Sequence, residues 1–366
     1  MSPHSPAAQA LADDGYILLS AFAEPHAHLD KAFLAERVEN PTGDLMGAIL
    51  AMERARGLIT LTDTIERAER AARLMLANGC TAIRTHVDVT LTCGLTSVEA
   101  LLEVRDRLRG LIDIQVVGLC AWPSIGPEGA DQRALLREAI AGGIDVIGGC
   151  PHLETDPVAA NDNFLSMAAD AGLPLDLHTD ETLDPAMFSL EDLAERVVTS
   201  GFPHQVTASH CVSLAVQPEQ RQRELADDIA AAGISVIALP HTNLFLQGRE
   251  QRVATPRGVT AVKTLMQAGV NVAAGADNLQ DPFNPVGRAD PLETAGLMIM
   301  LAHVLPADAL NMVSDAARTA MGLDPALDHV AVRATTVREA IAFGPSDRIV
   351  VRNGSDLETE RSSTRR

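Results

Sequence analysis

The side chains of this chain best suited to chemistry are histidines and carboxylates that close short apolar runs. In EPHAHLDK, His26 and His28 stand two residues apart. An extended backbone turns residues at that spacing to the same side, where two imidazoles can meet one metal ion. Alone, an H-x-H pair is more often two ordinary polar residues. Three later segments change the weight: DLHTDE brings His178 with Asp180 and Glu181, TASH brings His210, and AAGAD brings Asp277. Imidazoles combined with a carboxylate are the donor set of Zn(II) or Fe(II). A divalent ion so held acidifies a bound water into a hydroxide nucleophile near neutral pH. The bland alternative is that each residue is separately satisfied at a rim, and it must explain all of them at the ends of four apolar runs.

Those runs belong to a longer alternation. Short β-branched or apolar stretches at 16–22, 81–84, 114–119, 145–148, 175–177, 206–208, 235–239 and 271–274 alternate with segments whose apolar residues recur at three- and four-residue intervals. One such helix is expected over 63–78, with Asp63 or Thr64 as its cap and Gly79 as its stop. Near-continuous apolar strands indicate a parallel sheet covered by helices. Eight strand–helix units in series favour a (β/α)8 TIM barrel over an open doubly wound sheet, and such barrels carry their active sites where the strands end. The barrel is assigned to residues 15–322, with its last two helices near 290–303 and 307–322. Residues 323–366 are assigned to a small β appendage (VAVRA, REAIAFG, DRIVVRNG) and a mobile C-terminal tail, SDLETERSSTRR.

The chain has 366 residues, 46% hydrophobic and 21% charged, enough to bury a large core. A net charge of −20 repels phosphate backbones and anionic membrane surfaces, so neither nucleic acid nor membrane is expected as a partner. MSPHSPAAQALADDGY shows neither a basic start with an apolar run nor a cleavage signal, and no apolar run approaches a membrane span of roughly 18 residues. A cytoplasmic location is the expectation. Cys80, Cys93, Cys120, Cys150 and Cys211 lie far apart, which suits reduced structural thiols. Homo-oligomerisation is left open.

With these segments in view, the sequence resembles the amidohydrolase superfamily, in the branch that holds cytosine deaminase and N-isopropylammelide amidohydrolase. The resemblance runs from about residue 20 to 320 and is carried by EPHAHLDK, RTHVDV, LHTDE, TASHC, LPHTNLFLQGR and GADNLQDPFNPVG. It implies that His26, His28, His178 and Asp277 ligate one divalent metal, zinc or alternatively iron. IGGCPH offers no lysine for the carboxylated-lysine bridge of two-metal relatives. It further implies that Asp277 and His210 take the proton of the water, and that Glu181 protonates a ring nitrogen of the substrate. Other positions read two ways. Lys31 polarises a substrate carbonyl or is an exposed lysine; Gln247 is a loop amide beside the pocket or a turn residue. Phe283 stacks on a planar ring or fills core. His86 faces the pocket or hydrogen-bonds behind it, and His152 and Glu154 contact substrate or cap a loop.

One departure concerns specificity. Where cytosine deaminase carries a glutamine that reads the pyrimidine edge, GLCAW places Ala121, followed by Trp122. A methyl group cannot replace a bidentate amide, so a small heterocycle other than cytosine is expected. The implied activity is hydrolysis of a C–N bond in a cyclic nitrogen compound, by deamination of an amino-heterocycle. Hydrolysis of a cyclic or N-substituted amide is the rival within enzymes, and a catalytically silent binding barrel the rival outside them.

Overall fold

The computed structural model describes residues 6–352 and 355–356. Eight parallel strands make one sheet in chain order: β2 (Phe22–Ala27), β3 (Cys80–Val89), β4 (Asp113–Cys120), β5 (Val146–Gly149), β6 (Leu175–Thr179), β7 (Val206–His210), β8 (Ser235–Ala238) and β9 (Val272–Ala274). The chain just beyond β9 meets the end of β2 at an Ala27–Asp277 bridge, where the Asp277 N–H donates to the His26 carbonyl at 3.0 Å. The sheet is the (β/α)8 barrel expected from the alternation. Its strands are buried almost throughout because helices cover the outer face and facing side chains fill the inside.

The helices follow their apolar spacing. Leu61–Ala77 buries Ala68, Ala71, Ala72 and Met75 on one face, and it begins before the expected 63 because the Thr60 hydroxyl accepts the Asp63 N–H and caps it. The helix expected over 307–322 is two, Pro306–Met312 and Asp315–Ala320. Between them the Val313 carbonyl turns aside to accept the Ala23 N–H of β2 at 3.1 Å.

Two strand expectations change. The run at 16–22 was read as the first barrel strand, but β1 (Tyr16–Ser20) leaves the barrel and pairs antiparallel with β10 (His329–Arg333), which pairs with β11 (Arg348–Arg352) and then β12 (Ser355–Asp356). Its half-buried pattern suits a two-faced side sheet, whereas Phe22–Ala27 is buried on both faces. REAIAFG, read as a strand, is the helix Val337–Phe343: Thr336 accepts the Glu339 N–H and Glu339 bonds back to Thr335. A buried bidentate pair, Arg348 to Asp290 at 2.7 and 2.8 Å, ties the side sheet to the barrel. The tail expected to be mobile falls, apart from β12, outside the described residues. Among the described residues no helix is long and apolar enough to cross a membrane. The five cysteines carry free thiols.

Candidate active site

The inside of the barrel is polar in successive levels, set by the two-residue period of its strands. At the lowest level β3 presents Arg84, which donates to Asp176 of β6 at 2.8 Å and to Thr207 of β7 at 3.2 Å. Burial would raise the Asp176 carboxyl, but His86 and Arg84 outweigh it and hold it below its ordinary value. Asp176 in turn accepts the Ser209 hydroxyl at 2.9 Å, so Ser209 accepts from Nδ1 of His26 at 2.9 Å. That chain puts the His26 proton on Nδ1 and leaves Nε2 as a lone pair.

One level higher the donor atoms converge. His28 Nε2 lies 3.1 Å from His178 Nε2 and 3.3 Å from Asp277 Oδ1, and His26 Nε2 lies 3.6 Å from the same oxygen. Four ligands placed tetrahedrally at roughly 2.0–2.1 Å from an ion stand about 3.3 Å from one another. His26 Nε2 and both Asp277 oxygens are buried without a hydrogen-bond partner, the state of atoms shaped to coordinate. Burial, reinforced by neighbouring cationic and imidazole groups, holds His26, His28 and His178 well below the ordinary histidine range. They are therefore neutral, as ligands must be. The residues thus fit a divalent cation. His86 stacks on His26 with centroids 3.9 Å apart and brings a ring nitrogen within 4.8 Å of His26 and His178, so it faces this cluster from below.

The groups suited to proton transfer adjoin the cluster. His210 donates from Nδ1 to Asn243 at 3.0 Å, and its Nε2 faces Asp277 Oδ2 at 4.0 Å. Glu181 is buried 3.6 Å from His210, and burial followed by the Asp277 charge raises its carboxyl well above the usual range. His210 and Asp277 both have left-handed backbones, φ 70° and 63°, a strained conformation for such residues that aims them into the barrel mouth.

Above lies a cleft of about 320 Å³ walled by Leu45, Ile49, Met52, Ala121, Trp122, Leu153 and Phe283. Lys31 lines it too, but it is buried and bonded to Asp88 at 2.8 Å, to Asp30 at 3.4 Å and to His28 Nδ1 at 3.3 Å. Phe283 is both of the things it was read as, a wall of the cleft and packing for Leu34, Val38 and Met52. Gln247 donates to the Glu181 carbonyl at 3.1 Å and so holds that residue's backbone. His152 donates to the His178 carbonyl at 3.0 Å, and Glu154 accepts the Ser124 N–H in the loop that carries Trp122.

Comparison with known proteins agrees with this geometry. The sequence matches the amidohydrolase family over residues 27–332. It is 36% identical to a pterin deaminase of Rhizobium rhizogenes across 97% of this chain and 84% of that protein. The chain belongs to the amidohydrolase family. Among solved structures of amidohydrolases, 5-methylcytosine deaminase of Klebsiella pneumoniae with 5-fluorocytosine superposes with a TM-score of 0.86 at 30% identity, covering 96% of this chain and 88% of that one. N-isopropylammelide isopropylaminohydrolase of Burkholderia multivorans gives 0.78 at 31%, covering 94% and 87%. This amidohydrolase is a hydrolase of carbon–nitrogen bonds other than peptide bonds.

Sequence reasoning missed several residues that this amidohydrolase uses to hold its site. Glu24 is buried and accepts N–H groups from Ala276 at 3.0 Å and His26 at 3.2 Å, which locks β2 to the chain beyond β9. Burial pushes its carboxyl up to about 8. Gly275 leaves it room, because a Cβ there would stand 2.4 Å from the Glu24 carboxylate. Arg84, Asp176 and Ser209 were missed as well. For Glu24, Arg84 and Asp176 the available signal was a charged residue inside an otherwise apolar strand, in AFAEP, AIRTH and LDLHT; Ser209 carried none.

Proposed function

We propose that this amidohydrolase deaminates an amino-substituted, fused nitrogen heterocycle, with pterin the first ring to assay. The observation that carries the reading is the buried, readily protonated Glu181 set beside the imidazole–Asp277 cluster in one cleft. His26, His28, His178 and Asp277 would hold one divalent ion, zinc in the first instance and iron as the alternative. When bound, the ion supplies an acidified water as nucleophile. Asp277 and His210, its Nε2 unprotonated, stand ready to accept the proton of that water. Glu181 gives its proton to a ring nitrogen as the adjacent carbon becomes tetrahedral, and the returning protons let the amine depart as ammonia. Gln247 positions Glu181 through its carbonyl. Phe283 and Trp122 flank a planar ring, and Ala121 leaves the room of the missing amide for a second fused ring.

The relatives support the choice of ring, since the pterin deaminase likeness spans nearly the whole chain. A second reading has its own observation: the aliphatic wall of Leu45, Ile49 and Met52 suits an N-alkyl substituent, as in an N-alkylamino-triazine. Recording ammonia, alkylamine and product mass over pterins, amino-triazines, amino-pyrimidines and cyclic amides separates the two, with cytosine expected to be a poor substrate. Glu181→Gln is expected to retain metal and fold while kcat falls at least about 100-fold. Near-normal turnover by that variant would move the proton transfer to another group.

A further inference from the structure

The cleft carries a cation that the chemistry above does not use. Arg56 opens the short turn Arg56–Leu58 after the helix Leu45–Ala55 and lines the cleft with one-fifth of its side chain exposed. Its guanidinium donates to the Thr90 hydroxyl at 2.8 Å, which fixes its direction. Thr90 stands two residues beyond Asp88, roughly 7 Å farther along an extended backbone, and Asp88 holds Lys31 beside His28. Arg56 therefore sits outward of the reacting end of the cleft.

The charges around it are unevenly matched. Lys31 is closely held by Asp88 at 2.8 Å and Asp30 at 3.4 Å. The acidic neighbour of Arg56 is Glu53, 3.5 Å away with half of its side chain in water. A pair so exposed contributes little and exchanges readily for a better acceptor. A guanidinium fork prefers a planar carboxylate, which takes two of its N–H groups. Glu53 and Asp88 line the cleft as well, but Asp88 is taken up by Lys31, so on a chain of net charge −20 the loosely paired Arg56 is a local provision for an anion.

We propose that Arg56, oriented by Thr90, forms a subsite for a carboxylate carried on the distal side of the substrate ring, and so sets which substituted heterocycles are preferred. The assignment rests on the cleft being the substrate site. Glu53, at 3.5 Å from a single guanidinium nitrogen, leaves the fork of Arg56 open to the incoming carboxylate.

The test compares pterin with pterin-6-carboxylate, one ring without and with the anion, on the metal-loaded full chain. Affinity is read from ring fluorescence and turnover from kcat/KM. The wild type is expected to favour the carboxylated ring. Arg56→Gln should lower that preference about 10- to 100-fold, the scale of a lost charged hydrogen bond, Arg56→Lys should lower it less, and Glu53→Gln should raise it. Absence of preference or of binding in the wild type overturns the subsite, as does an unchanged preference in Arg56→Gln even when both rings weaken together. A preference that depends on Arg56, without turnover of either ring, upholds the subsite and removes the deaminase reading instead. Turnover of both rings without preference does the reverse.

Discussion

At the floor of the cleft a chain of hydrogen bonds runs from Arg84 to Asp176, to Ser209, to His26, and Glu24 accepts the His26 N–H on the same strand. Along the outer wall Leu45, Ile49, Met52 and Phe283 present apolar side chains to the cleft, and Trp122 is 36% exposed. Hydrogen bonds in a buried setting are directional and costly to leave unmade, so the floor specifies atom positions. Apolar contact is nondirectional and scales with area, so the wall specifies a shape and accepts a range of occupants. On the proposed reading, the fold separates a part that would carry the reaction from a part that would select among substrates. Substitutions at the floor should remove metal or chemistry, and those at the wall should change KM.

The sharpest break is at the floor. His178→Ala removes an imidazole whose Nε2 lies 3.1 Å from that of His28, and the protein is expected to lose metal and activity together while keeping its circular dichroism spectrum. The check is metal content after dialysis, about one ion per chain in the wild type. Wild-type metal retention in the variant would remove His178 from the ligand set.

A smaller effect is expected one step back. Ser209→Ala deletes the acceptor of the His26 Nδ1 proton and frees the ring to turn. Partners of this kind typically contribute about 10- to 100-fold in metal affinity, measurable by competition with a chelator. Unchanged affinity would mean that stacking on His86, with centroids 3.9 Å apart, suffices to orient His26.

The same contrast governs what could be read before the fold was known. The eight-strand barrel was legible because burial on both faces imposes apolar runs, and the candidate histidines because they close those runs at a shared rim. The first barrel strand was expected at 16–22 but is Phe22–Ala27, because Tyr16–Ser20 pairs instead with the distant His329–Arg333, which no local pattern shows. The helix Val337–Phe343 is hidden because a seven-residue segment, VREAIAF, has too little period to outweigh its Val, Ile and Phe content. At the site, Glu181 and His210 were visible as strand-end residues. The Arg84–Asp176–Ser209–His26 chain was not, since it joins four strands whose rotation about the barrel no local spacing reveals. Lys31 could not be told from an exposed lysine, because Asp30 and Asp88, which bury and hold it, come together only across β2 and β3.

The smallest expected effect lies at the wall and asks whether an aromatic face matters there or only filled space. Phe283 packs on Leu34, Val38 and Met52 while showing a part of its ring to the cleft. Phe283→Ala removes both contributions, so a raised KM in that variant alone cannot separate stacking from a collapsed wall. Phe283→Leu keeps most of the apolar volume and loses the ring face. If a planar substrate stacks on Phe283, the leucine variant should show KM raised about 2- to 12-fold, the equivalent of roughly 0.5–1.5 kcal/mol for an aromatic pair, with kcat within about twofold because His26, His178 and Glu181 stay in place. A leucine variant with wild-type KM would show that the wall supplies bulk alone, and a variant with lowered kcat would show that wall and floor are coupled after all.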